Sequence, residues 1–416
     1  GIDFGPGCYC VLPGNYTLDR NIALRVLPYR IRCNQGRIVI PEGFTLTLAA
    51  GTTIKTFDDA ELFTIHGNIV ATETLFDFET NGTTRPFQFY EDSTGTFTQC
   101  EFLAKEIGWD HWDTFIFYLV DRSHVDIRGC SFDGDNGSTE GTAGYAIRAY
   151  HDTVCNVQTY GGTPCSFTDF KRAIWSRNFR NLPKIDIDST VTNCGQGAMV
   201  HTGDTQHVTT DVTVKCPWLY LDAYEACYID AGASLTFTPG SKIRIYDCRS
   251  GGFIFVDGTL RFEDSTLDLD TWYTYPVFDV RDGGRMEFVD TLVQSRTPTT
   301  YYTDSRIVEV GDGGTLHLEG SRFENPDTGS HRTGYGIVMY NGSTLLAPSG
   351  RADDTHLDGF HVAGIYSSGG LQSLAGSVSP SLSFGDNARD LYVTGGKTLS
   401  SDFTLPDDTH LEFYPK

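Results

Sequence analysis

Within five residues, Trp109-Asp-His-Trp-Asp113 places two indoles beside two carboxylates and an imidazole. Sugar rings stack on aromatic faces, and an imidazole exchanges protons near neutral pH. A second cluster, Lys171, Arg172, Arg177, Arg180 and Lys184, gathers five of the 31 basic residues into fourteen positions. Such a patch suits an anionic glycan; pairing with neighbouring acidic groups is the plainer role. If an acidic polysaccharide is cleaved, His111, Lys171, Arg172 and Arg177 are the candidate catalytic groups. If it is only held, Trp109, Asp110, Trp112, Asp113, Arg180 and Lys184 are the contacts, unless the Trp-rich stretch is simply a loop plug. A third cluster is Asp264, Asp268, Asp270 and Trp272. Asp268 and Asp270 alternate onto one face of a strand, where paired carboxylates raise one another's pKa; a solvated strand face is the alternative.

Metal and cofactor signals are weak. Asp133-Gly-Asp-Asn-Gly-Ser-Thr-Glu140 has the composition of a calcium loop but lacks its sixth-position glycine and distal bidentate glutamate, so it reads as a turn. His201 and His207 flank an acidic turn with no third ligand close in sequence. No Cys-x-x-Cys occurs among the eleven cysteines, and Cys8-x-Cys10 has no His-x-His partner, so zinc is not expected. No metal site or cofactor is therefore assigned, calcium being the only ion with any signal.

All eleven cysteines lie in the first 248 residues. Disulfides of a secreted protein and small buried core residues explain them equally well. An odd number leaves at least one thiol free or shared between chains. Four Asn-x-Ser/Thr sequons, at Asn15, Asn81, Asn136 and Asn341, are candidate glycosylation sites. The 416 residues carry 31 Lys+Arg against 54 Asp+Glu, a formal charge of −23 that argues against nucleic acid and anionic membranes as partners. The apolar run Phe115 to Val120 is far shorter than the roughly 20 residues of a spanning helix. Gly1 opens directly on polar, glycine-rich sequence with no visible signal peptide, so the chain reads as already processed or cut.

The elements that must position these residues are announced by repeats. Four C-terminal segments share a pattern of β residues, an Asp-Gly or Asn-Gly turn, and β residues again. Their apolar positions Leu260, Met286, Leu316 and Leu345 are 26, 30 and 29 residues apart, and Leu235 precedes the first by 25. Alternating polarity predicts half-buried strands, and a period in the high twenties is one coil of a solenoid. In the N-terminal half, Gln99-Cys-Glu-Phe102 recurs as Gly129-Cys-Ser-Phe132 and Pro164-Cys-Ser-Phe167, with Ser321-Arg-Phe323 and Ser265-Thr-Leu267 as later relatives. That recurrence predicts Cys stacked on Cys and Phe on Phe. Residues 40–55 also align without gaps on 229–244, sharing Gly43/Gly232, Leu46/Leu235, Gly51/Gly240 and Ile54/Ile243. A looser copy follows at 403–413.

These coil motifs resemble those of the secreted right-handed parallel β-helix proteins, the pectate-lyase-like superfold. The resemblance covers most of residues 35–350 and implies an all-β solenoid with coils of roughly 25–30 residues. Prolines and cysteines of the first residues suggest an N-terminal cap over 1–34, and the repeats predict a first β-helix section over 35–205, a second over 206–399, continuous with or stacked on the first, and a terminal coil or strand over 400–416. Members of that superfold include lyases, hydrolases, epimerases, tailspikes, adhesins and structural proteins, so fold does not choose the activity. The Asn-Thr-Asp, Asp-Asp and Gly-His-Gly set of polygalacturonases is absent, as are Asp-Pro-His-Glu and Trp-Ile-Asp-His. Two functions are therefore expected. The first is a secreted or surface structural protein, a filament or adhesin-like subunit that binds glycan or further copies of itself, its last strand being open to strand addition. The alternative is a polysaccharide lyase or glycoside hydrolase.

Overall fold

The computed structural model describes residues 10–12, 14–24, 30–33, 36–56, 61–79, 85–105, 115–134, 143–150, 152–177, 190–192, 194, 198–201, 205–214, 218–222, 226–246, 254–270, 275–296, 304–326, 332–347, 355–369, 382–394, 405 and 408–414. Among them there is no helix, and every pairing between named strands is parallel. The protein is a parallel β-solenoid with successive coils about 26 residues apart. It divides into two compact units, one of residues 1–200 with 215–219 and one of 201–214 with 220–416.

The first unit stacks three sheets. One runs from Cys10–Leu12 through Leu75–Glu79, Glu101–Lys105 and Ser131–Asp133 to Thr190–Thr192. A second includes Phe63–Ile65, Phe87–Phe89, Phe115–Leu119, Ala143–Ala149 and Phe170–Ser176. The third runs from Ile22–Leu24 through Thr94–Thr98 and His124–Arg128 to Val154–Gln158. Because strands pair in register with the coil before and the coil after, one side-chain type repeats along each column. Phe76, Phe102, Phe132 and Phe167 form such a column, their rings stacked at 4.9, 4.6 and 4.8 Å between centroids. The Phe63, Phe87 and Phe117 column stacks at 4.9 and 4.8 Å and meets the first edge-on. The two ladders fill the core with the offset and T-shaped geometries that aromatic quadrupoles favour.

The second unit uses the same plan. Leu235, Leu260, Met286, Leu316 and Leu345 are register partners in adjacent strands and are fully buried, as their spacing predicts. The match between 40–55 and 229–244 also has a structural basis. Gly67 and Gly258 occupy equivalent turns, where a Cβ would stand 2.3 Å from the carbonyl oxygens of Pro41 and Ala233. Only glycine lets the backbone pass that close. The looser copy at 403–413 lies partly outside the described residues; within it, Leu411–Tyr414 pairs in parallel with Leu391–Thr394.

The recurring Cys-x-Phe motif is a corner. Glu73, Gln99, Gly129, Asp264, Asp290 and Gly320 all have positive φ, between 42° and 59°. Each is followed by Thr, Cys or Ser, whose side chain bonds back to the carbonyl two residues earlier, as in Cys130 to Arg128 at 3.5 Å and Thr291 to Val289 at 2.9 Å. The corner amide then donates to the equivalent atom of the next coil: Cys100 N to Cys130 Sγ at 3.3 Å, Cys130 N to Cys165 Sγ at 3.4 Å, and Thr291 N to Ser321 Oγ at 3.1 Å. Thiols here do the work that hydroxyls do in the second unit, satisfying a buried N–H that would otherwise destabilise the corner.

Removing a ring from the middle of the ladder leaves a cavity that the rigid coils above and below cannot close. Phe132→Ala is therefore expected to destabilise the first unit by about 3–5 kcal/mol. Chemical denaturation monitored by circular dichroism tests this, with Phe132→Leu expected to lose less.

Candidate functional site

The richest concentration of chemistry among the described residues lies on the sheet of the first unit that carries Phe115–Leu119, Ala143–Ala149 and Phe170–Ser176. Inward positions of these strands are apolar: Phe117, Ile147 and Ile174 are register partners and buried. The intervening positions face away from the core and place Gln88, Tyr118, Arg148 and Trp175 in one column. A parallel column of Phe115, Tyr145 and Arg172 runs beside it. Arg85, Tyr150 and Arg177 flank the two.

Guanidiniums and rings interleave across this face. Arg148 lies 4.6 Å from the Trp175 ring centre and 5.0 Å from those of Phe115 and Tyr150. Arg177 stands 5.1 Å from Tyr150 and 5.5 Å from Trp175, and Arg85 5.4 Å from Phe115 and 5.7 Å from Tyr118. Arg172, 5% exposed, lies over Tyr145 and donates a hydrogen bond to its hydroxyl. Each such cation–ring contact contributes roughly 0.5–2 kcal/mol, more as water is excluded. The face thus has a buried floor of Phe115, Tyr145, Arg172 and Trp175. Above it stand the half-buried groups Arg85, Tyr118, Arg148, Tyr150 and Arg177. Burial, then the neighbouring Tyr150, pushes the Tyr118 phenol above its usual range against the pull of Arg148 and Arg85. Tyr118 therefore keeps its proton at neutral pH and is a hydrogen-bond donor rather than a base.

Of the residues singled out in the sequence, Arg172 and Arg177 belong to this face. Lys171 is on the same strand, its side chain outside the described residues. Trp109, Asp110, His111, Trp112, Asp113, Arg180 and Lys184 also lie outside them. Sequence reading missed Arg85, Phe115, Tyr118, Tyr145, Arg148, Tyr150 and Trp175. The available signal was the coil register, which puts 118, 148 and 175 one coil apart although the three residues differ in type.

The remaining motifs resolve into local pairs. Asp268 and Asp270 flank Arg244, whose nitrogens approach them at 3.8 and 3.7 Å; Trp272 lies outside the described residues. His207 bonds Asp230 at 2.9 Å and stacks on Tyr228. Most of 133–140 lies outside the described residues, and among those described no group of three or more His, Cys, Asp or Glu is placed to hold a metal ion. Asn15 and Asn341 are exposed, while Asn81 and Asn136 lie outside the description.

Cys100, Cys130, Cys155, Cys165, Cys194 and Cys227 are buried, with no disulfide among the described residues. Cys8, Cys216 and Cys248 lie outside them, as do the side chains of Cys10 and Cys33. Burial pushes Cys165 and Cys194 up to about 11 and Cys227 to about 12. Cys130 is raised by its contact with Cys100 and by burial.

Comparison with protein-family models, curated proteins and solved structures found no match. Fold and site together define the class: a parallel β-solenoid with an arginine–aromatic face on its first unit. No helix among the described residues is long and apolar enough to cross a membrane.

Buried thiols with raised pKa are poor nucleophiles. Native protein treated with a thiol-reactive disulfide at pH 8 is expected to leave Cys130, Cys165, Cys194 and Cys227 unlabelled over an hour, and to label all four once unfolded. Peptide mass spectrometry reads the result site by site.

Proposed function

We propose that this protein is a secreted β-solenoid of the structural or adhesin-like kind, and that it holds an acidic polysaccharide along the arginine–aromatic face of its first unit. The observation that carries the reading is the packing of Arg85, Arg148, Arg172 and Arg177 against Phe115, Tyr118, Tyr145, Tyr150 and Trp175. In a chain of net charge −23 most of the surface repels a polyanion, so a local cationic strip selects where one can lie. Rings packed around a guanidinium restrict its motion. Its N–H groups lie in the guanidinium plane, the geometry that suits a carboxylate or sulfate. Pre-ordering removes part of the entropy cost of binding. Neighbouring coils repeat at about 4.8 Å, and the arginines come from several coils, so an extended polyanion lying across them can meet more than one.

The reading is a binding function. Tyr118 is held protonated and Arg172 is packed on Tyr145, so neither is arranged as the base of an eliminating lyase. An extracellular setting accords with sequons at the exposed Asn15 and Asn341.

Polygalacturonate, alginate and heparin are suitable probes in affinity electrophoresis and calorimetry. At least one is expected to bind, to perturb the fluorescence of Trp175, and to weaken as sodium chloride rises from 50 to 300 mM. The double change Arg148→Ala with Arg177→Ala should weaken binding at least tenfold. Arg148→Lys, which keeps charge but loses the planar stack, should fall between. No binding to any of the three, or binding indifferent to the double change, would overturn the proposal; unchanged thermal melting of the variants excludes unfolding as the cause.

A further inference from the structure

One column of nucleophiles in the first unit takes no part in the arginine–aromatic face. At the corner that precedes the strands Leu75–Glu79, Glu101–Lys105, Ser131–Asp133 and Ser166–Thr168 stand Thr74 and Cys100, Cys130 and Cys165. These strands pair in parallel and in register, Leu75 with Glu101, Glu101 with Ser131 and Ser131 with Ser166. The three cysteines therefore hold equivalent positions in consecutive coils, and they are only 2%, 1% and 0% exposed.

Hydrogen bonding alone does not account for sulfur at three successive corners. Where the corner carries a hydroxyl, the bond to the carbonyl two residues earlier is shorter: 2.8 Å from Ser265 to Glu263, and 3.1 Å from both Thr74 to Thr72 and Ser321 to Glu319. The same bond is 3.5 Å from Cys100 to Thr98 and from Cys130 to Arg128. A hydroxyl satisfies the corner fully. What a pair of thiols adds is two-electron chemistry.

Cys100 and Cys130 are placed for that chemistry. Cys130 Sγ accepts from Cys100 N at 3.3 Å and donates to Phe97 O at 3.4 Å, so it leans onto the coil that holds Cys100. Backbones of adjacent coils stand about 4.8 Å apart, inside the range of roughly 4.4–6.8 Å between Cα atoms that a disulfide spans. The two thiols also bond one another, whereas Cys165 Sγ meets Cys130 at its amide, 3.4 Å away. The bond from Cys130 holds the Cys100 thiol below its usual range against the effect of burial, and the same contact raises Cys130. Cys100 is thus the nucleophile and Cys130 the group that follows it.

We propose that Cys100 and Cys130 are a peroxide-responsive thiol pair, which oxidation joins into a disulfide that staples two consecutive coils of the first unit. The Cys100 thiolate attacks one oxygen of hydrogen peroxide as the O–O bond breaks. That oxygen stays on Cys100 as a sulfenic acid, and the other leaves as hydroxide, which takes up the proton Cys100 had released to form water. Cys130 sulfur then bonds Cys100 sulfur and displaces the sulfenic hydroxyl, which departs as a second water with the Cys130 proton. The two thiols lose two electrons and the peroxide gains them. Peroxide is close to water in size, so a brief opening of the corner admits it where a bulky thiol reagent is kept out. The staple joins residues 30 apart, which restricts the unfolded chain. Cys165, bonded to Cys130 N and to the carbonyls of Ile127 and Gln158, remains reduced.

The test uses the whole chain, reduced, freed of reductant and exposed to hydrogen peroxide, then unfolded in an alkylating agent and digested without reduction. Mass spectrometry is expected to find the Cys100 and Cys130 peptides mainly as one linked species, lighter than their sum by two hydrogens and separated by a reductant. The urea midpoint of the protein should rise on oxidation. Cys130→Ser keeps the corner bonds, as Ser321 does, and should abolish both the link and the rise; its Cys100 should stop at the sulfenic acid and be trapped by dimedone. Cys165→Ser should leave the link unchanged. Recovery of Cys100 and Cys130 unlinked after peroxide would overturn the proposal. So would a link from Cys130 to Cys165 in its place, or one that forms only in the unfolded chain. None of these outcomes depends on whether the first unit binds a polysaccharide.

Discussion

Every feature of this protein depends on one constraint: the backbone N–H and C=O groups of each coil are satisfied by the coils on either side, in parallel and in register. That requirement cannot be met locally, because a single coil leaves its polar backbone edges bare. Once met, it fixes the spacing between equivalent residues at about 4.8 Å and leaves little freedom to slip, since a one-residue shift would turn every core side chain outward. The Phe76–Phe167 and Leu235–Leu345 ladders are the interior consequence. The corner column of Thr, Cys and Ser is the consequence at the bends, where an amide left over by the positive-φ residue must find an acceptor in the next coil.

The same constraint governs charge. Equivalent positions stand so close that like charges would repel, and several outward positions on neighbouring strands instead carry opposite charges. Lys55 faces Asp77, Arg261 faces Glu287, and Arg285 bonds Glu287 along its own strand. Burial pushes the Glu287 carboxyl up, but its bonds to Arg285 and Arg261 prevail and hold it below the usual range. On the first unit's face, where arginines come from several coils, rings interleave with them. On the second unit's sheet Asp279 and Glu309 are register partners, each with its arginine. The clustering of arginines and rings is what makes the first unit's face a candidate for binding.

How far each was legible follows from the kind of signal it left. Coil period, corner and core ladder repeat in type, so Cys-x-Phe at 100, 130 and 165 and Leu at 235, 260, 316 and 345 were readable from spacing alone. Outward columns do not repeat in type. Tyr118, Arg148 and Trp175 share a column but no chemistry, and Asp279 and Glu309 sit inside segments whose Asp-Gly turns drew attention to the repeat instead. The basic cluster was visible as local density, and the two members with described side chains, Arg172 and Arg177, do lie on the arginine–aromatic face. Its partners Arg85 and Arg148 come from earlier coils.

The amino-acid order by itself determined the all-β class, the coil length, which residues face inward and which glycines turn the chain, because each is set by alternation or by a backbone angle within a few residues. Tertiary structure decided which outward residues become neighbours. Loops of unequal length separate successive strands, so the sequence distance between stacked residues varies from coil to coil, and only the hydrogen-bonded register shows that Arg148 lies beside Trp175 and Asp279 beside Glu309.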